Sequence, residues 1–271
     1  MTSFALTIAG AIADETGPLW WPVLTGPLAA FYLPAITDYS TSRQLGLQEY
    51  ASTFVEVIGS QHICARVELL RSPAISQFSA RGLDLCSAEE LADGKSFKVI
   101  SSALDMINKV QSLGDCIHSL VRSLHVLRPQ DPSVDVSFSE PALPFSIFVS
   151  VPNIHSDQIA MRVAESIVHE AMHLLLSLVE RSIPLVTTHE KKHYSPWRNQ
   201  LREAGGLLHG MYVFRVIFDW LGFFRETPVA AYAHHRRAQI REQLLGSNLP
   251  LLEASLNSNG AALARRIVAN I

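Results

Sequence analysis

"ESIVHEAMHLLL", residues 165–176, places His169 and His173 four positions apart with Glu170 directly after the first. On a helix this spacing brings both imidazoles to one face, about one turn apart, which is the geometry of a bidentate metal pair. Glu170 falls about 100° round the axis, where it can address a water on a metal better than it can ligate the metal. In hydrolases with this motif that glutamate is the general base. The neighbours Ile167, Val168, Ala171, Met172, Leu174, Leu175, Leu176 and Leu178 make the helix apolar nearly all round, so it reads as central and buried. Two histidines and a glutamate are costly in such a place without a compensating cation. Histidines hydrogen-bonded inside a core are the alternative. Eight of the eleven histidines fall between His155 and His235, which favours a metal.

Outward from this stretch, Ser156 and Asp157 supply a helix start and Pro184 a stop, so the helix is expected to run to about Arg181. Ahead of it, Val134–Ser139 and Phe145–Val151 are short, rich in β-branched and aromatic residues, and separated by a proline-containing turn. They read as two paired strands. "RPQDPSVD" before them is a loop signal. Residues 41–71 and 96–127 carry apolar residues at helical spacing, and further helices are expected across 199–224, in "VAAYAHHRRAQIREQLL" and near the C-terminus. The fold class is therefore mainly α (α+β), with a small two-strand β element before the metal-binding helix. The proline loop divides residues 1–130, a helical lobe, from residues 131–271, the metal-site lobe, the two being expected to form one compact domain.

Composition narrows the function. The chain has 271 residues, long enough to bury a core without staples. It is 48% hydrophobic and only 17% charged, against roughly 25% charged in ordinary soluble proteins. The net charge of −3, with no run of Lys or Arg, offers nothing to a phosphate backbone, so nucleic acid is not expected as a partner. Three cysteines without CxxC spacing suit free thiols in a reducing, cytoplasmic compartment. The first 37 residues are apolar and lack Lys and Arg, but Asp14, Glu15 and four prolines interrupt them. They read as an irregular strip over the core, and neither a signal peptide nor a membrane span is expected.

The third ligand has several candidates. The extended metalloprotease form HExxHxxGxxH would place glycine and histidine where Leu176 and Val179 stand, and a thermolysin-like spacing would place a glutamate where His193 stands. His189, Glu190, His193, Glu203 and His209 remain. His209 lies in "EAGGLLHGMYVF" among Gly205, Gly206 and Gly210, whose cost in a helix of up to about 1 kcal/mol each is explained if this helix closely crosses the first. Arg202 lies seven residues earlier, on nearly the same face, and an arginine beside a metal suits a carboxylate.

"HEAMH", followed by "SPWR" (195–198), "LR" (201–202) and "GLLHGMYVF" (206–214), resembles the HExxH-motif peptide-modification proteins of bacterial pathways to ribosomally made, modified peptides. The similarity covers about residues 134–222. It implies a non-haem iron(II), 2-oxoglutarate-dependent hydroxylase acting on a side-chain β-carbon of a precursor peptide. It implies iron held by His169, His173 and His209, and 2-oxoglutarate carboxylates held by Arg198 and Arg202. Three protein ligands leave three octahedral positions open, as such an oxygenase requires. A zinc-dependent metallopeptidase with Glu170 as general base is the alternative, and a non-catalytic peptide-binding module a second one. In the oxygenase Glu170 would act as an outer hydrogen-bond partner. A homo-oligomer is compatible with the sequence. "HHRR" at 234–237 reads as a solvated helix face, and Trp20 and Trp21 as core.

Overall fold

The structure, a computed structural model, describes residues 2–37, 52–59, 64–70, 76, 78–131, 133–139, 145–188 and 191–271. The fold is mainly α with some β, as the sequence predicts. By its packing the chain falls into two compact units, Thr25–Leu174 and the pair Met1–Leu24 with Leu175–Ile271. This division does not fall at the proline loop near residue 130. It cuts the long helix that carries the two histidines.

Within Thr25–Leu174 lies a five-stranded sheet of order β1-β2-β3-β5-β4. Its strands are β1 Ser52–Gly59, β2 Cys64–Leu70, β3 Ser123–Leu127, β4 Ser137–Ser139 and β5 Ser146–Ser150. The two predicted strands are β4 and β5, paired antiparallel with Phe138 opposite Phe148. The rest of the sheet corrects the sequence reading. Where helix was expected across 41–71, the described part is the antiparallel pair β1 and β2. Thr53, Val55, Val57 and Ile58 are β-branched and favour strand, and two neighbouring strands pair without any helical face to satisfy. Residues 41–51, 60–63 and 71 of that expected helix lie outside the described residues. Where one helix was expected across 96–127, the chain forms Lys95–Asn108, Gln111–Leu120 and then β3. β3 is parallel to both β2 and β5 and buried after its first residue. Such a strand has no alternation to betray it, and a short apolar run reads equally well as helix.

One face of this sheet carries a row of rings. Phe138 stacks on Phe148 at 4.4 Å, His125 stacks on the same ring at 4.6 Å, and Phe78 lies 4.9 Å away. His125 is buried and its Nδ1 meets the Glu68 carbonyl oxygen at 2.9 Å. Alternation sends Leu124, Val126, Ile147, Val149 and Ser137 to the opposite face. That face meets the long helix, because the Ser137 hydroxyl reaches Glu170 upon it.

The N-terminus also departs from expectation. It forms two helices, α1 Thr2–Ala13 and α2 Pro22–Thr37, rather than an irregular strip. Pro22 opens α2, where a missing N–H costs nothing, while Pro27 and Pro34 stand within it. Numbering onward, α3 is Ala88–Leu91, α4 Lys95–Asn108, α5 Gln111–Leu120, α6 Asp157–Ser182, α7 Ala204–Leu221, α8 Ala230–Leu245, α9 Leu249–Glu253 and α10 Ser258–Val268. A hairpin of β6 Lys192–Ser195 and β7 Gln200–Glu203 precedes α7. The stretch Ala204–Phe224 is the one helix among the described residues long and apolar enough to cross a membrane, and most of its apolar span is buried as in a core helix.

Two arginines fasten the second unit by filling helix C-termini, where carbonyls lack partners and a cation is favoured. Arg266 donates to the carbonyls of Ala11, at 2.8 Å, and Gly17. Arg215 donates to those of Ile267 and Ala269 at 2.5 and 2.7 Å. Trp20 and Trp21 are buried as expected, Trp21 stacking on Tyr212 at 5.1 Å while the Tyr212 hydroxyl donates to the Leu19 carbonyl.

Asn257 caps α10 through Gly260 N–H and also donates to the Pro184 carbonyl, drawing residues 184–187 against the start of α10. A Cβ at Gly260 would fall onto the Leu185 carbonyl oxygen, which cannot move without breaking its bond from Asn257 N–H. Gly260→Ala is therefore expected to lower the unfolding free energy by about 1–3 kcal/mol. Gly10→Ala, where a Cβ meets nothing within 4 Å, should leave it unchanged or raise it by up to about 1 kcal/mol. Urea denaturation of both variants checks the contrast, and equal midpoints would refute it.

Candidate metal centre

α6 is 26 residues long and begins with the expected cap, the Ser156 hydroxyl accepting from Ile159 N–H. Between Ala160 and Glu180 its partly exposed residues are Arg162, His169, His173, Leu174, Ser177 and Glu180, and all the others are buried. Apart from Leu174, their spacing of seven, four, four and three traces one line along the helix. The helix meets solvent through this stripe, and both histidines lie on it.

The Nε2 atoms of His169 and His173 stand 3.2 Å apart, their rings 4.7 Å between centroids and inclined by 71°. Two nitrogens each about 2.1 Å from one metal and this far apart subtend roughly 100° at it, between octahedral and tetrahedral angles. An N–H···N hydrogen bond has a similar length, so the pair is compact with or without an ion. Glu170 is 4% exposed, and its Oε1 accepts the Ser137 hydroxyl at 2.8 Å. A second bond ties the same stretch of chain to α6, where Arg162 meets Asp135 at 3.0 and 2.8 Å. Both follow from the sheet, since β4 lies at its edge and its helix-side residues alternate with Phe138 in the ring cluster.

His209 sits on α7, with its Nε2 2.8 Å from Glu180 Oε2. That carboxylate occupies one ring nitrogen, which makes Nδ1 the one that would have to serve as a ligand while the pair persists. Sequence reasoning missed Glu180, although its place seven residues after His173 on the same helix face was a readable signal. Among the described residues no three His, Cys, Asp or Glu side chains gather closely enough to hold a metal. The expected trio is thus present as the pair His169 and His173, with His209 on Glu180.

The other candidates fall as follows. His193 is 2% exposed on β6 and bonds the Ser255 hydroxyl at 3.1 Å, as a core histidine does. Glu203 is exposed at the start of α7. His189 and Glu190 lie outside the described residues. Arg198 is exposed in the hairpin turn, and Arg202 is exposed on β7 opposite His193.

The glycines of α7 have a cause other than the helix crossing predicted for them. A Cβ at Gly206 would meet the Arg202 guanidinium at 3.5 Å, and one at Gly210 the Trp197 ring at 3.4 Å. Trp197 also stacks on Phe214 at 5.1 Å with rings 5° from parallel. Gly206, Gly210 and Phe214 thus form a slot, at four-residue spacing, for side chains of the hairpin. Nor is "HHRR" simply a solvated face. His234 and His235 are exposed, but Arg237 lies 4.2 Å over the Phe218 ring and donates to the Phe218 carbonyl, and Arg236 lies 5.4 Å over Phe214. Of the cysteines, Cys86 and Cys116 are free thiols, both pushed up to about 11 mainly by burial.

Comparison with family models and with curated proteins finds no match in either.

Burial, which disfavours the charged ring, lowers the pKa of His193, helped by Lys191, and that of His125. Both groups therefore bind a proton less readily folded than unfolded. Their contribution to stability is present above the ordinary histidine value of 6.5 and is lost as pH falls below it. Unfolding free energies from urea titrations between about pH 8 and 5 should decline in that window. His125→Gln and His193→Gln should each flatten the decline, whatever they do to stability at neutral pH. An unaltered slope in both would show that neither ring is the source.

Proposed function

We propose that this chain is a non-haem iron(II), 2-oxoglutarate-dependent hydroxylase that modifies a side chain, at the β-carbon, of a ribosomally made precursor peptide. The observation that carries the metal is the approach of His169 Nε2 and His173 Nε2 to 3.2 Å on the solvent-facing stripe of an otherwise buried helix. The choice of iron and 2-oxoglutarate rests on the resemblance of the "HEAMH", "SPWR" and "GLLHG" blocks. Bound iron would supply oxygen chemistry at coordination positions the protein leaves open.

The chain's own residues have separate tasks. His169 and His173 donate ring nitrogens. Glu170, fixed by Ser137, orients groups beside them. β4 is suited to an extended peptide, because Ser150 N–H bonds the Val136 carbonyl, which turns the backbone polar groups of Ser137 and Ser139 outward from β5. Arg198 and Arg202 carry the exposed guanidinium groups assigned to the keto acid. Cys86 and Cys116, neither in a disulfide, suit a reducing cytoplasmic setting.

A zinc peptidase is the second reading, favoured by the placement of Glu170, nearly buried and held by a hydrogen bond directly after the first histidine.

Metal analysis of protein purified without chelator separates the two. Iron is expected, lost in His169→Ala and in His173→Ala and retained in His193→Ala. His209→Ala and His189→Ala tested together identify the further ligand. With iron(II), 2-oxoglutarate and oxygen, a substrate peptide should gain one oxygen atom per modified residue with its backbone uncut. Arg198→Ala or Arg202→Ala should raise the 2-oxoglutarate requirement roughly ten- to hundredfold, as loss of a charge-assisted hydrogen bond implies. Tightly held zinc and peptide cleavage without 2-oxoglutarate, abolished by Glu170→Gln, would establish the peptidase.

A further inference from the structure

We infer that Ser137 is a positioning residue, holding in one orientation the Glu170 carboxylate on the helix that carries His169 and His173. This rests on the reading that the two histidines hold a metal, and it applies whether the chemistry is oxygenation or hydrolysis. Ser137 alternates with Phe138, whose ring is locked into the stack with Phe148, so its own side chain is directed to the opposite face of β4. Its register partner there is Val149, with Ile147 and Val126 nearby on the same face, all buried. A hydroxyl on so apolar a surface is costly unless it is bonded. Its proton goes to Glu170 Oε1 at 2.8 Å.

The donor is itself immobilised. Val136, one residue earlier, exchanges bonds with Ser150, its N–H donating to the hydroxyl and its carbonyl accepting from the N–H, at 2.9 and 2.8 Å. Asp135, one residue earlier again, is gripped by Arg162, about two turns upstream of Glu170 on the same helix. The strand is therefore clamped to the sheet on one side and to α6 on the other. A glutamate has three rotatable side-chain bonds, and one bond from a clamped hydroxyl selects among its rotamers. Removing the hydroxyl takes away that bond, while the backbone pairing of β4 with β5 needs no side chain.

Cobalt(II), which accepts the same nitrogen and oxygen donors, reports on its surroundings through its visible absorption bands. Wild type, Ser137→Ala, Ser137→Thr, Glu170→Gln, Ser137→Ala/Glu170→Gln and His169→Ala/His173→Ala are loaded with cobalt alone. The first five should take up equal cobalt. The Ser137→Ala bands should shift from wild type toward those of Glu170→Gln, Ser137→Thr should restore the wild-type spectrum, and the Ser137→Ala/Glu170→Gln variant should match Glu170→Gln. A purely structural serine would not give a Glu170-dependent shift rescued by threonine. Ser137→Ala bands that superimpose on wild type while Glu170→Gln differs, or a Ser137→Thr spectrum that stays shifted, would overturn the assignment and leave the metal reading standing. Undiminished cobalt binding in His169→Ala/His173→Ala would remove the metal reading and this assignment with it.

Discussion

A helix buried on all but one line can present histidines to solvent only along that line, and every polar side chain on its other sides must find a partner inside the protein. α6 obeys both demands. His169 and His173 fall on its partly exposed stripe, while Glu165, Ser166 and Glu170 are each less than a tenth exposed. A buried carboxylate without donors is prohibitive, so the identity of Glu170 constrains whatever lies against it. That neighbour is β4, and the constraint is met by Ser137. The short edge strand, the loop that delivers Asp135 to Arg162 and the ring stack that orients Phe138 thus all serve the placement of one glutamate on α6.

The second unit shows a different economy, in which backbone groups left over at helix ends are satisfied by long cationic side chains. Arg266 and Arg215 each reach across to carbonyls in or just past the last turn of another helix, and Asp219 pairs with Arg215 at 3.0 Å. The glycine slot on α7 belongs to the same unit. In it "SPWR" meets "GLLHGMYVF", since Trp197 lies against both the bare backbone of Gly210 and the ring of Phe214. Packing couples these two blocks within this chain.

The sequence made the centre of this arrangement legible and its scaffold only in part. The buried helix, its start at Ser156 and the two strands before it announced themselves through periodicity, capping chemistry and β-branched content. β1, β2 and β3 did not. β3 is buried on both sides and lacks alternation, and in β1 and β2 isolated apolar residues also matched a helical template. The N-terminal prolines suggested a broken strip, yet one of them simply begins a helix. Glycines signalled a close approach correctly, but spacing cannot say what approaches, and the visitors were Trp197 and the Arg202 guanidinium rather than a second helix. Ser137 carried no motif at all. Its role depends on a contact between residues 33 positions apart, which periodicity within either element cannot encode.

Along the exposed stripe of α6, the polar side chains at both ends find partners on other elements, and those in the middle find each other. Arg162 meets the Asp135 carboxylate, and Glu180 meets the His209 ring, each a partner from another element. Between them, two groups of the same kind face each other. Two neutral imidazoles whose Nε2 atoms are 3.2 Å apart can share one proton, so that one donates and one accepts. Protonating both would set two positive charges at that distance. A divalent cation takes a lone pair from each and relieves the repulsion between them, using the same ring orientations. The arrangement is therefore better completed by a metal ion than by a second proton.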